Sequence, residues 1–324
     1  MQKNVIVMGR LSPTQRAELE QHFQVAELTK PLDLTQPDVH SMLSNAHGLI
    51  GSGMQVTTTL LDAAPALEVI ATISVGYDNI PVDELTKRGI MLCNTPDVLT
   101  ETTADTGFAL IMATARRVVE LAEWIKEGHW QTSIGPDLFG SDVHGKTLGM
   151  VGFGRIGQAV ARRGALGFGM RILYSNASPK PALEQELGAQ RCELHELLAD
   201  ADFVCVTVPL TAETEHLIGV TELAHMKPSA ILVNIARGKV IDEKALIEAL
   251  EQGVIKAAGL DVFAQEPLSS ESPLPRMANV VALPHIGSAT HETRDAMAQR
   301  AVDNTRLALQ GKRPISLVNE EVWR

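Results

Sequence analysis

The stretch Leu148-Gly149-Met150-Val151-Gly152-Phe153-Gly154-Arg155-Ile156-Gly157 constrains the chain most. An apolar run, which reads as a strand, ends in Gly-x-Gly-x-x-Gly and passes into residues 158–163, which read as a helix. A glycine-rich turn can occur without a ligand. Strand, turn and helix in this order make it a candidate dinucleotide site. Gly152 permits the tight turn, Gly154 lets the backbone approach a pyrophosphate, and Gly157 lets helix and strand pack closely. The helix start offers free N–H groups and a positive dipole end to phosphates. Arg155 and Ile156, inside the turn, count with the glycines as candidate cofactor contacts.

Short apolar runs alternate with helical patterns on both sides of this stretch. Before residue 100 the runs are 5–8, 48–51, 67–74 and 90–93. Ser12 and Pro13 open a helix to about His22, as a cap followed by a proline suited to the first helical position. Another helix reads at 82–87. Residues 100–126 read as one long helix, and 128–146, with four glycines and Pro136, as a linker and surface loop. Strands resume at 148–151, 171–174, 203–208, 230–234, 259–262 and 280–283. Asp242 suits the cap of a helix to Glu251, and a last helix runs from about Thr290 to Leu309, where Gly311 ends it. This alternation over 324 residues implies an α/β chain of about two domains, each with a parallel sheet buried on both faces.

The net charge is −11, and Lys and Arg form no blocks. That argues against nucleic acid or an anionic membrane as partner, while leaving room for a local cationic pocket. Cys93, Cys192 and Cys205 are too few and too scattered for a zinc motif, so no metal is expected. Cys205 lies in an apolar run and reads as a buried thiol. The first apolar run is too short for a signal-peptide core, and no stretch reaches the roughly 18 apolar residues of a membrane span. A cytoplasmic location is the expectation.

The second half suggests what the turn binds. An Asp or Glu about twenty residues beyond the fingerprint's start accepts a bond from the ribose 2′-OH of NAD. Here the second strand ends in Tyr174-Ser175-Asn176-Ala177-Ser178-Pro179-Lys180, with no acid between Gly157 and Glu184. Hydroxyl, amide and Lys180 tolerate or attract a 2′-phosphate, which favours NADPH over NADH. A polar loop that reads nothing is the other interpretation. Arg237, in Asn234-Ile235-Ala236-Arg237-Gly238, follows an apolar strand. Its planar fork suits a carboxylate, and equally an ordinary ion pair. Glu266 and His285 each lie just beyond a later apolar strand. If they meet, the carboxylate favours the imidazolium, which can protonate a ketone oxygen. Nothing in the spacing shows that they meet, and ten histidines are present.

The glycine turn, Ala236-Arg237-Gly238, Leu260-Asp261-Val262-Phe263-x-x-Glu266-Pro267 and Pro284-His285-Ile286-Gly287 occur in that order. This set resembles the D-isomer-specific 2-hydroxyacid dehydrogenase family over nearly the whole chain. Ile73-Ser74-Val75-Gly76-Tyr77-Asp78-Asn79, residues 97–102 and residues 287–293 resemble its bacterial glyoxylate/hydroxypyruvate reductase and 2-ketogluconate reductase branch. The resemblance implies a flavodoxin-like substrate domain of residues 1–99 plus 287–324. A Rossmann nucleotide domain, residues 100–286, is inserted into it, with the active site in the cleft and a homodimer built through the nucleotide domain. It makes Arg237 the holder of the substrate carboxylate, His285 the acid/base and Glu266 its orienting partner. Val75 and Gly76 would present N–H groups to the carboxylate. Thr103 and Asp261 would sit near the nicotinamide, Val208 and Pro209 in the cofactor cleft, and Ile235, Ala236 and Gly287 beside the dinucleotide. The implied reaction is reduction of a small 2-oxo acid by NADPH. Competing readings are a nucleotide-sensing regulatory protein on the same fold, an NAD-dependent relative of other specificity, and a Rossmann-like methyltransferase; the last leaves Arg237, Glu266 and His285 unexplained.

Overall fold

The computed structural model describes residues 2–9, 11–28 and 33–323. It forms two compact units, Met1–Leu99 with Ala289–Arg324, and Thr100–Ser288. All strand pairs are parallel, so both units are α/β with crossover helices. Among the described residues no helix is long and apolar enough to cross a membrane.

The first unit has strands β1 (Asn4–Met8), β2 (Gln24–Glu27), β3 (Ala46–Gly51), β4 (Val69–Thr72) and β5 (Met91–Cys93), in the order β2-β1-β3-β4-β5. That is the flavodoxin-like order. Ile6, Leu49, Ile70 and Leu92 are buried in its core. Ser12 caps helix Pro13–Glu20 through a reciprocal pair: its hydroxyl accepts the Gln15 N–H, and Gln15 Oε1 accepts the Ser12 N–H. The C-terminal segment belongs to this unit. Helix His291–Leu309 packs on β3 to β5, and Asn319 Oδ1 accepts the Leu92 N–H at 2.8 Å.

The second unit has β6 (Thr147–Val151), β7 (Arg171–Ser175), β8 (Gln190–Arg191), β9 (Phe203–Val206), β10 (Ile231–Asn234), β11 (Ala257–Leu260) and β12 (Val280–Ala282). Their order is β12-β11-β10-β9-β6-β7-β8. The chain runs outward from β6 to β8, then returns to β9 on the other side of β6. This reversal leaves a crevice at the C-terminal strand ends, where ligands bind in such sheets.

Two local expectations need correction. The long helix is two helices, Thr100–Ala115 and Val118–Lys126. Arg117 takes φ 55°, and its guanidinium bonds both Glu120 oxygens and the Asp137 carbonyl. The Ala115 carbonyl accepts from Ser141 N–H at 2.7 Å instead of continuing the helix. The apolar pattern also passes over β2 and β8, because both are short, polar edge strands with little side-chain burial.

Candidate active site

The glycine turn joins β6 to helix Arg155–Arg162, and its three glycines meet three different constraints. Gly152 has φ +91°, and a Cβ there would lie 2.8 Å from the Val208 nitrogen. A Cβ on Gly157 would lie 2.6 Å from the Gly152 carbonyl oxygen. Gly154 differs: nothing lies within 4 Å of its Cβ position. It is exposed, and it starts a helix with no side-chain cap. Open space beside uncapped N–H groups is a cradle that fits a pyrophosphate. Gly154→Val should therefore leave the melting temperature within about 2 °C, since it fills only open space. The same change should raise the NADPH dissociation constant about tenfold or more, measured by fluorescence titration.

The turn is tied to β7. Gly152 N–H donates to the Ser175 carbonyl (2.9 Å) and Phe153 N–H to Asn176 Oδ1 (3.0 Å). The Phe153 ring stacks on Tyr174 at 4.3 Å, both fully buried. Lys180 stands just before the helix Pro181–Leu187, and its N–H donates to the Tyr174 hydroxyl (2.8 Å).

Beyond β10, Asn234 shapes the loop that carries Arg237. Its Oδ1 accepts the Ala236 N–H, and its Nδ2 donates to the Arg237 carbonyl, each at 3.0 Å. Ile235 and Ala236 are buried there, and Arg237 is half-buried. Gly238 follows because the loop runs hard against the next one: a Cβ on it would lie 1.8 Å from the Phe263 carbonyl carbon. That contact brings Arg237 beside the loop that bears Glu266.

Glu266 and His285 meet. His285 Nδ1 lies 2.6 Å from Glu266 Oε2, while Phe263 N–H donates to Oε1 at 3.0 Å. Burial acts to raise the Glu266 carboxyl pKa. The His285 bond, the Phe263 N–H and the charges of His285 and Arg237 outweigh it, and the pKa lies below the ordinary glutamate value. A charged carboxylate facing Nδ1 places a proton on that nitrogen and leaves Nε2 as the reactive one.

His285 has φ 53°, a left-handed conformation uncommon for a residue with a side chain. Asp261 explains how it is held. Its buried carboxylate accepts the N–H groups of Ile286 (2.7 Å) and Gly287 (2.8 Å), the two residues after His285. Burial pushes the Asp261 carboxyl pKa up despite these bonds. A Cβ on Gly287 would meet Asp261 at 3.1 Å and Thr103 at 3.3 Å, so Thr103, Asp261 and Gly287 form one packed group. The loop after β9 carries Val208 against Gly152, and Pro209, whose carbonyl accepts from Thr214 Oγ1 (2.6 Å).

Val75 and Gly76 lie in the first unit, in the loop after β4, both half-buried. The Val75 carbonyl accepts from Asn94 Nδ2 (2.9 Å) and the Gly76 carbonyl from Ser74 Oγ (2.6 Å). The sequence reading missed the framing roles of Asn234 and of Glu243, whose Oε2 accepts the Ala264 N–H. A polar residue at or just past the end of an apolar strand was the available signal for Asn234, as for Asp261.

The family model for the NAD-binding domain of D-isomer-specific 2-hydroxyacid dehydrogenases matches residues 108–287. Glyoxylate/hydroxypyruvate reductase B of Yersinia enterocolitica is 53% identical over 322 residues, covering 99% of each chain. The chain belongs to the D-isomer-specific 2-hydroxyacid dehydrogenase family. It is an oxidoreductase with the family's NAD-binding domain. The enzyme of the same name from Escherichia fergusonii is also 53% identical, over 99% of each chain. Among solved structures, the NADPH-dependent glyoxylate/hydroxypyruvate reductase of Sinorhizobium meliloti, in complex with NADP and malonate, superposes with a TM-score of 0.89. It is 34% identical, and the match covers 100% of this chain and 99% of that one. The family match spans the glycine turn, Arg237, Glu266 and His285 alike.

Proposed function

We propose that the chain is an NADPH-preferring reductase of small 2-oxo acids, with glyoxylate and hydroxypyruvate as first candidates and 2-ketogluconate as a longer one. The observation that carries this is the 2.6 Å contact of His285 Nδ1 with Glu266 Oε2, within reach of the charge of Arg237. The names of the relatives from Yersinia and Escherichia support the substrate class, and the Sinorhizobium structure with NADP supports the coenzyme.

The unit Thr100–Ser288 would hold the dinucleotide, with Gly152, Gly154, Arg155, Ile156 and Gly157 at the pyrophosphate. Ser175, Asn176 and Lys180 would face the adenosine, and Thr103, Val208, Pro209, Ile235, Ala236, Asp261 and Gly287 the rest of the coenzyme. When bound, the reduced nicotinamide supplies the hydride. Arg237 binds and orients the substrate carboxylate through its fork. His285 Nε2 gives a proton to the keto oxygen and takes it back in the reverse direction, while Glu266 keeps the proton on Nδ1. Asp261 holds the backbone that aims His285. The products are (D)-2-hydroxy acids.

The test is a panel of 2-oxo acids assayed with NADPH and NADH in parallel, following the reduced-nicotinamide absorbance. Glyoxylate and hydroxypyruvate should turn over with a higher kcat/KM for NADPH than for NADH. No turnover of any 2-oxo acid would remove the reading and leave a nucleotide-sensing protein.

A homodimer is part of the same reading. Helix Val118–Lys126 has no buried residue; Val118 and Ile125 are 53% and 51% exposed. Trp130, Ile134 and Phe139, in the segment that follows, are exposed as well, and apolar exposure of this kind suits a second copy of the chain. Sedimentation at micromolar concentration should give about twice the 35.0 kDa chain mass. A monomer there would refute this part.

A further inference from the structure

The coenzyme type in such a fold is read where the second strand ends, here at Ser175 and Asn176 of the β7 loop. Both are already engaged. The Ser175 carbonyl accepts the Gly152 N–H, and the Asn176 side chain bridges the Phe153 N–H and the Ser178 carbonyl. Neither brings a positive charge. A cation comes instead from the next strand. Arg191, on β8, stands opposite Tyr174 in register. Its guanidinium lies along the β7 loop, donating from Nε to the Asn176 carbonyl (3.2 Å) and from Nη2 to the Asn176 (3.1 Å) and Ala177 (3.3 Å) carbonyls.

Two features separate Arg191 from neighbouring arginines. Arg162 pairs with Glu186, Arg163 with Asp105 and Glu101, and Arg171 with Asp200. Arg191 has no carboxylate partner among the described residues; its bonds go to neutral carbonyls. Those bonds use Nε and Nη2 and leave both Nη1 donors for a ligand. Its side chain is exposed and already fixed, so an anion would meet an oriented, uncompensated charge and little side-chain freedom would be lost.

We propose that Arg191 is the residue that sets coenzyme preference, its guanidinium taking the adenosine 2′-phosphate of NADPH. The proposal rests on the NADPH-preferring reading. It moves the reader from the loop residues Ser175, Asn176 and Lys180 to the strand after them. A phosphate monoester near neutral pH carries close to two charges, whereas a 2′-hydroxyl carries none, so the guanidinium discriminates mainly by charge.

The probes are 2′,5′-ADP and ADP, which share the adenosine and 5′ end and differ in the 2′ group. Each is titrated by calorimetry into the full chain and into R191Q, R191K and K180Q. The wild type should bind 2′,5′-ADP more tightly. R191Q should weaken 2′,5′-ADP by about 10- to 100-fold and leave ADP within about twofold. R191K should recover part of the loss, because the charge returns without the fork. K180Q should change either ligand by less than R191Q changes 2′,5′-ADP. Equal weakening of both ligands by R191Q would give Arg191 only a loop-holding role and overturn the proposal. So would full retention of 2′,5′-ADP affinity, or a larger loss in K180Q; in each case the NADPH reading stands. A wild type that binds the two ligands equally would remove the NADPH reading itself, and the proposal with it.

Discussion

His285→Ala is expected to lower kcat for 2-oxo acid reduction by about 10²- to 10⁴-fold, the usual contribution of a positioned acid. NADPH affinity should stay close to that of the wild type, because His285 lies on the loop after β12, away from the glycine turn proposed to hold the phosphates. The geometry makes the loss specific. Nδ1 is committed to Glu266, so Nε2 is the only ring position that can pass a proton. Alanine also sits poorly at φ 53°, which adds a structural cost to its effect. His285→Asn controls for this, since asparagine tolerates the left-handed region but cannot act as the acid. Its kcat should fall as far as that of the alanine variant, with a melting temperature nearer the wild type. Stopped-flow turnover and NADPH titration check both variants. Retained turnover in either would remove His285 from the role.

Gly238→Ala is expected to be the most damaging single-methyl change near the site. Its Cβ would lie 1.8 Å from the Phe263 carbonyl carbon, 2.0 Å from its oxygen and 2.3 Å from the Ala264 nitrogen. All three are backbone atoms, so no rotamer change relieves the overlap. The two loops must move apart, and they carry Arg237 on one side and Glu266 on the other. A loss of at least about 3 kcal/mol follows from forced backbone displacement in a packed region. For a unit of this size that is a fall of about 6–12 °C in melting temperature. Activity should fall further than stability accounts for, because Arg237 and Glu266, the proposed carboxylate holder and the proposed partner of His285, lose their common frame. Calorimetry and kinetics on the soluble variant test this; an unchanged melting temperature with full activity would contradict it.

What could be read from the chain itself follows from how local each signal is. The glycine turn was legible because three stereochemical demands fall on three glycines within six residues. Arg237, Glu266 and His285 were legible as polar groups past apolar strands. Their meeting was not, since it depends on β10, β11 and β12 being neighbours, and no residue pattern states that. Asp261 drew notice only through resemblance; its bonds to the Ile286 and Gly287 amides depend on a left-handed turn that a histidine does not announce. Arg191 was passed over because β8 is two residues long and polar, and only its register with β7 brings the guanidinium to Asn176 and Ala177. The break at Arg117 was hidden because Val118, Val119 and Ile125 continue an apolar helical pattern while remaining exposed.

The most direct measurement is the pH profile of kcat for reduction in the wild type and Glu266→Gln. The Glu266 carboxyl has its pKa lowered, so its charge persists above that value and is lost as pH falls through it. Over the working range it is therefore a fixed negative charge facing His285 Nδ1. The neutral amide removes that charge. The alkaline limb of kcat should move to lower pH. A profile that stays in place while kcat falls would show that Glu266 and His285 do not act as a coupled acid.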